Sequence, residues 1–243
     1  MSHYILVSVL LAWLGENSLI HEIGKNGFSC LFMNSQYVDA WKNSMFASLT
    51  VSVISVIIST VILTFWLLDK TRYFRALILI MLFPLIMFPG SIHAISTKVI
   101  LNDILGLHVA SRTMLIYSLS CYTIPITTLI LIIYARFHKS NLTWAVKDLG
   151  GGAIDVYKLI LSIYKAPILQ VFVFSLLIAF NDYPRTFYLS GGDNFISLEL
   201  VGGLGSGFDV GSYFFGVVNV LIVVVFMTIN YLRSRVTFHS PRG

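Results

Sequence analysis

The chain has 243 residues, 57% of them hydrophobic and only 11% charged, with a formal net charge of +5. A soluble domain carries about 25% charged residues. A mean hydropathy of +0.84 therefore excludes a water-facing globule of this size and predicts an integral membrane protein. The basic residues stand in short segments between apolar runs, which argues for membrane topology and against a nucleic-acid footprint.

In chain order, the hydropathy pattern predicts a single transmembrane domain over 1–243 with six spans. They fall at about 2–20, 45–68, 76–92, 114–135, 160–182 and 210–232, each near the roughly 20 residues that cross the hydrocarbon. The first is short, runs into Glu16 and Asn17, and lacks the basic start of a signal peptide. Pro84 and Pro89 lie in the third span and Pro125 in the fourth. At membrane depth such prolines mark either a kink settled by packing or a wet pathway lining. Residues 93–112 read as a loop whose semi-apolar patch, 99–107, is a candidate short re-entrant or surface helix, and 183–209 as a polar, glycine-rich loop. Cys30 and Cys121 are far apart, with no Cys-x-x-Cys or Cys/His ligand spacing, so no zinc site or disulfide framework is indicated.

Charge sets the orientation. Segments 69–75, 136–165 and 233–242 hold 11 of the 16 Lys and Arg residues. The positive-inside bias makes these cytoplasmic. Both termini are then inside, and the loops at 21–43, 93–112 and 183–209 face out.

The longest charged, amphipathic stretch is 142–167, which begins in a cytoplasmic loop at 136–159 and runs into the fifth span. Asn141 or Thr143 is placed to cap a short helix that the glycines Gly150, Gly151 and Gly152 end. A second helix is expected to start near Ala153 and run into the fifth span. Two short helices around a glycine break make a knob that fits a groove on a partner. The plain alternative is an ordinary cytoplasmic loop.

These residues resemble a loop in the membrane permeases of ABC importers. That loop has the form Glu-Ala-Ala, three residues, Gly, nine residues, Ile, one residue, Leu-Pro. Here Ala145, Asp148-Leu149-Gly150 and Ile160 match, while Trp144 stands for the glutamate and Ser162-Ile163 for Leu-Pro. Pro167 matches a proline that often follows. Gly27-Phe28-Ser29, Tyr37 and Trp41 are similar to the approach to the family's second span. Phe83-Pro84 and Phe88-Pro89 are similar to its third span, and Phe180-Asn181-Asp182 to the end of the fifth in the spermidine/putrescine-type branch.

The resemblance implies an all-α permease subunit of a binding-protein-dependent ABC importer in a bacterial inner membrane. A dimer of ATPase subunits would dock on Trp144, Ala145, Asp148, Leu149, Gly150 and Ile160. A second permease subunit, a different chain, would complete the path, and an external solute-binding protein would deliver a polyamine or similar small solute. Trp144 cannot accept the hydrogen bonds of the family's glutamate and would instead dock as a buried aromatic anchor. Asn181, Asp182 and Arg185 are the substrate-path candidates, since ionisable groups at membrane depth are functional by default.

No P-loop is present, so ATP is expected on the partner and this chain is not an enzyme and holds no cofactor. For the same reason Leu189-Ser190-Gly191-Gly192, which mimics the ATPase signature, reads as a turn. An ATP-independent secondary transporter or channel would show in-membrane charges or paired broken helices. A membrane enzyme would need clustered His, Asp or Glu, whereas the acidic residues here are scattered singly.

Overall fold

The structure, a computed structural model, describes residues 35–68, 71–106, 109–137, 146, 148–199, 201 and 224. The expected spans at 2–20 and 210–232 lie outside the described residues. All regular structure within them is helical. The helices are α1 (Ser35–Leu68), α2 (Arg72–Met87), α3 (Gly90–Lys98) running into a π-helical segment (Val99–Ile104), α4 (Ser111–Phe137), α5 (Ala153–Ile163), α6 (Lys165–Phe180) and α7 (Tyr183–Leu189). The chain divides into two compact units, Met1–Lys42 with Asn194–Gly243, and Asn43–Asp193. In the first, Lys42 lies 3.5 Å from Asp39 on an exposed helix face, and the amides of Leu198 and Glu199 donate to the Phe195 carbonyl. Everything below concerns the second.

Among the described residues two helices are long and apolar enough to cross a membrane, over Val38–Leu68 and Ser111–Arg136. A third is added if α5 and α6, bent by 78°, form one span. The structure thus carries two or three of the six anticipated spans, and it redraws others. The stretch expected to cross at 76–92 is divided. The 16 residues of α2 reach about 24 Å at 1.5 Å per residue, short of a hydrocarbon layer of roughly 30 Å. Helix α2 stops at Met87 because the residue before a proline avoids the helical region. Pro89 (φ −56°, ψ 146°) then heads α3. Within 93–112 the short helix offered for the semi-apolar patch is present, and it starts earlier than the patch, since α3 and the π-helical segment fill 90–104. The expected loop at 183–209 likewise opens with α7.

A polar seam joins the two long helices. Ser44, Ser48, Ser52, Ser55 and Ser59 recur three or four residues apart on one face of α1, and all are buried. The Ser55 hydroxyl bonds that of Thr123 on α4. One turn on, Ser59 Oγ meets Thr127 Oγ1 at 2.6 Å, accepts from Thr128 Oγ1 at 3.0 Å and reaches the Ile124 carbonyl at 3.3 Å. Small hydroxyl residues let helices approach closely where the surroundings are as apolar as the side chains. The opposite face of α1 exposes Phe46, Val53, Ile57 and Phe65, an apolar outer surface of the kind lipid covers.

The unit has two distinct ends. At one, two cations stand over the buried Trp66 ring, Arg75 Cζ at 5.5 Å and Arg136 Cζ at 5.7 Å from its centroid. This joins the end of α1, the start of α2 and the end of α4. Leu63, Leu131, Ile132 and Ala135 continue into a cluster with Val156 and Ile160 of α5, Tyr164 and Val171. At the other, Arg112 at the start of α4 donates to Asp193 at 2.9 and 3.2 Å and to Asn43 Oδ1 at 3.1 Å. Of the segments expected on a common side from their charge, 69–75 and 136–165 contribute Arg75, Arg136 and α5 to the Trp66 end, and 233–242 lies outside the described residues.

Candidate functional site

The first candidate is the knob between α4 and α5. Gly150 takes φ +79°, the left-handed conformation that ends a helix, and the Gly151 amide donates to the Val146 carbonyl five residues back at 2.8 Å. That is the Schellman hydrogen bond, which satisfies a carbonyl otherwise stranded at the helix end. Gly152 then caps α5, and Asp155 Oδ2 reaches back to accept from the Gly152 amide at 3.0 Å. The knob sits on the body through one stripe of α5, since Val156, Ile160 and Tyr164 recur at four-residue spacing and are all buried. Val146 packs on the same cluster, and Tyr164 meets the Tyr134 ring edge-on at 5.9 Å.

The knob presents two apolar side chains outward, Leu149, 87% exposed, and Ile154, 70% exposed, beside the exposed charges Asp155 and Lys158. Asp148 and Gly150 are also exposed, whereas Ile160 is fully buried and fastens the knob rather than forming its face. Trp144 and Ala145 lie outside the described residues. Helix α5 starts at Ala153 as expected, but it does not run straight on. Pro167 lacks an amide hydrogen, and its ring would collide with the carbonyl four residues back, that of Ile163. The helix ends at that residue, Tyr164 leaves helical geometry (φ −97°, ψ 18°) and α6 departs at 78°.

The second candidate is the pair Asp182 and Arg185 at the far end of α6. Asp182 caps α7, its Oδ1 accepting from the Arg185 amide at 2.9 Å, and Pro184 occupies the first turn, where its missing amide hydrogen costs nothing. The same aspartate accepts from Arg185 Nη1 through Oδ2, and the Thr186 hydroxyl donates to its carbonyl. The side chains are 3% (Arg185) and 7% (Asp182) exposed. Asn181 is exposed, its Nδ2 donating to the Leu177 carbonyl at 2.9 Å.

Helix α7 packs on α3 and α4, and both supply partners that sequence reasoning missed. Arg185 Cζ stands 4.0 Å from the centroid of the Tyr122 ring on α4. A Cβ on Gly90 of α3 would lie 3.1 Å from Arg185 Nη1 and 3.2 Å from Pro184 Cβ, so a bare glycine is what lets α3 approach. No spacing rule pairs Tyr122 or Gly90 with an arginine so distant in the chain, and only the fold shows it. Arg185 Nε and Nη2 are buried without an acceptor among the described residues. Leaving a buried donor unmet costs about 1–3 kcal/mol, so this guanidinium is under-satisfied for its burial.

Ser190 to Asp193 form a turn closed by the Asp193 amide on the Ser190 carbonyl at 3.1 Å, in keeping with the reading of Leu189-Ser190-Gly191-Gly192 as a turn. Among the described residues no three His, Cys, Asp or Glu side chains come together in a metal-binding arrangement. No protein-family model matches the chain, and no curated protein matches it in sequence.

Proposed function

We propose that this chain is the transmembrane permease subunit of an ATP-driven ABC importer, coupled to its ATPase through the knob at 142–160. The carrying observation is an exposed apolar tip, Leu149 and Ile154, mounted rigidly through Val156, Ile160 and Tyr164 on the basic end of the bundle. A flexible loop would have no such mounting, and the two apolar side chains supply the surface a partner groove could cover. On this reading the six-span topology, the bacterial inner membrane and the cytoplasmic termini follow from the resemblance and the charge bias. The lipid bilayer covers the outer face of α1, and two ATPase subunits, a second permease chain and an external solute-binding protein complete the importer. Nucleotide chemistry stays on the ATPase. The polyamine-like solute implied by the resemblance would not find a free carboxylate at Asp182, whose two oxygens are both engaged by Arg185.

The test is co-purification in detergent of this chain with the products of its neighbouring genes. Wild type is compared with Leu149→Asp and Trp144→Ala. Wild type is expected to bring down a P-loop ATPase and Leu149→Asp to lose it, because a charge at the apolar tip leaves its own desolvation unmet on docking. Retention in Leu149→Asp and loss in Trp144→Ala would move the anchor to Trp144. Transport of a solute with no ATPase bound would overturn the proposal in favour of an ATP-independent transporter or channel.

A further inference from the structure

We propose that Trp66, Arg75 and Arg136 form a binding surface for the headgroup of an anionic phospholipid, in the leaflet where the two long helices end. The proposal rests on the membrane reading alone and needs no ATPase.

The first observation is depth. The two stretches long and apolar enough to cross a membrane run over Val38–Leu68 and Ser111–Arg136. Trp66 stands just before the end of one, and Arg136 is the last residue of the other. Arg75, in the first turn of α2, is brought to the same level by its contact with the Trp66 ring. That level is where hydrocarbon gives way to headgroups, and where tryptophan and basic residues meet them.

The second is charge. Arg75 Cζ and Arg136 Cζ lie 5.5 and 5.7 Å from the centroid of one ring, so they are no further apart than those distances laid end to end. An indole face attracts a cation through its quadrupole but carries no net charge. The ring therefore gathers guanidiniums without neutralising them, as a carboxylate would. Arg136 is exposed, and among the described residues the ion pairs engage Lys42, Arg112 and Arg185 instead. Helix α5, which shares a core cluster with Trp66, adds the exposed Lys158, and the start of α6 adds the exposed Lys165. The knob's Asp148 and Asp155 are exposed as well, but Asp155 is turned back on the Gly152 amide.

The third is the flank. Phe65 precedes Trp66, Leu77 lies two residues past Arg75 and Ile133 stands one turn before Arg136, and all three are exposed. Cations beside bare apolar side chains suit a ligand with a charged head and hydrocarbon tails. A soluble phosphate would leave these side chains uncovered. Guanidinium is also the donor best matched to phosphate oxygens, and basic pockets between helices are where anionic headgroups collect.

The test follows Tm of the full chain, as it purifies, in nanodiscs of phosphatidylcholine carrying increasing phosphatidylglycerol. A saturable rise is expected. The mole fraction giving half the rise should increase about five-fold in Arg136→Gln, the effect of one basic residue near a charged surface. The response should disappear in Arg75→Gln/Arg136→Gln and be largely kept in Arg136→Lys. Because Arg136 is exposed, its single variants keep the test readable if the double variant does not fold. Lys98→Gln, which removes the same charge from the stretch expected on the other side, should change nothing. An equal loss in Lys98→Gln overturns the proposal, since bulk charge would then explain the response. So does the absence of any rise, or an equal, variant-sensitive rise with inorganic phosphate in phosphatidylcholine alone. Loss of a P-loop ATPase from Arg136→Gln with the lipid response intact would assign the arginine to a protein partner and likewise overturn it. Failure of the Leu149→Asp docking experiment leaves this readout standing, so the two proposals fail separately.

Discussion

Gly150 and Gly151 are neighbours under different constraints. Gly150 needs its positive φ of +79°, yet a Cβ there would meet nothing within 4 Å. Its replacement by alanine should cost only the backbone term, about 1 kcal/mol, and leave the exposed Leu149 and Ile154 in place. Gly151 has an ordinary φ but no room. A Cβ would stand 2.5 Å from Val146 Cγ1 and 2.8 Å from the Val146 carbonyl oxygen, the acceptor of the bond that closes the turn. Gly151→Ala should therefore lower Tm more than Gly150→Ala and reduce ATPase retention more, although Gly150 is the residue that fits the family pattern. The reverse order in unfolding and pull-down measurements would mean that the turn geometry, not the Val146 contact, limits the knob.

Among the elements, the seam between α1 and α4 turns on Ser59, which bonds two hydroxyls and one carbonyl. Ser59→Ala should cost about 0.6–2 kcal/mol, the range for polar contacts between membrane helices. Ser59→Leu should cost more, since the site is fully buried and a larger side chain pushes the helices apart. Equilibrium unfolding in mixed micelles separates the two, and equal effects would show that packing at Ser59 is loose. The cores of α1 and α4 were legible as long apolar runs, and the serine spacing that forms the seam is in the sequence too. Other elements hid for physical reasons. Hydropathy is blind to where a helix breaks, so the runs at 76–92 and 160–182 each read as one span, the first with its prolines taken as a kink or pathway lining. The breaking chemistry was nonetheless written in them, by Pro89 after Phe88 and by Pro167 four residues beyond Ile163. Helix α7 was masked by the glycines that follow it, although Asp182 as cap and Pro184 in the first turn are helix-start signals. The knob was legible because its signals are local. The setting of Arg185 was not, because Tyr122 and Gly90 reach it only through the packing of α3, α4 and α7.

At the scale of the whole molecule, the two ends of the described unit make the topology testable. Leu149 marks the end with Trp66, Arg75 and Arg136, and Asp103, exposed in the π-helical segment, belongs to the stretch expected on the other side. In a background carrying Cys30→Ser and Cys121→Ser, Leu149→Cys should resist a membrane-impermeant maleimide in intact cells and react in inverted vesicles. Asp103→Cys should do the opposite. Labelling of both from one side would overturn the orientation set by the basic residues.

The bend at Tyr164 also has a mechanical meaning. Helix α5 is a short arm, about 16 Å long at 1.5 Å per residue, and α6 a longer one of about 24 Å. Joined at 78° and clamped at the corner by the buried Tyr164, they form a bell crank with its pivot at Tyr164. A turn of about 10° at that pivot sweeps the Ala153 tip through ~3 Å and the Phe180 tip through ~4 Å on those arm lengths. Two residues beyond the longer tip stands Asp182, which holds Arg185. Were the two arms to turn as one piece, a push on the knob would reach the Asp182–Arg185 pair with its stroke lengthened by the ratio of the arms.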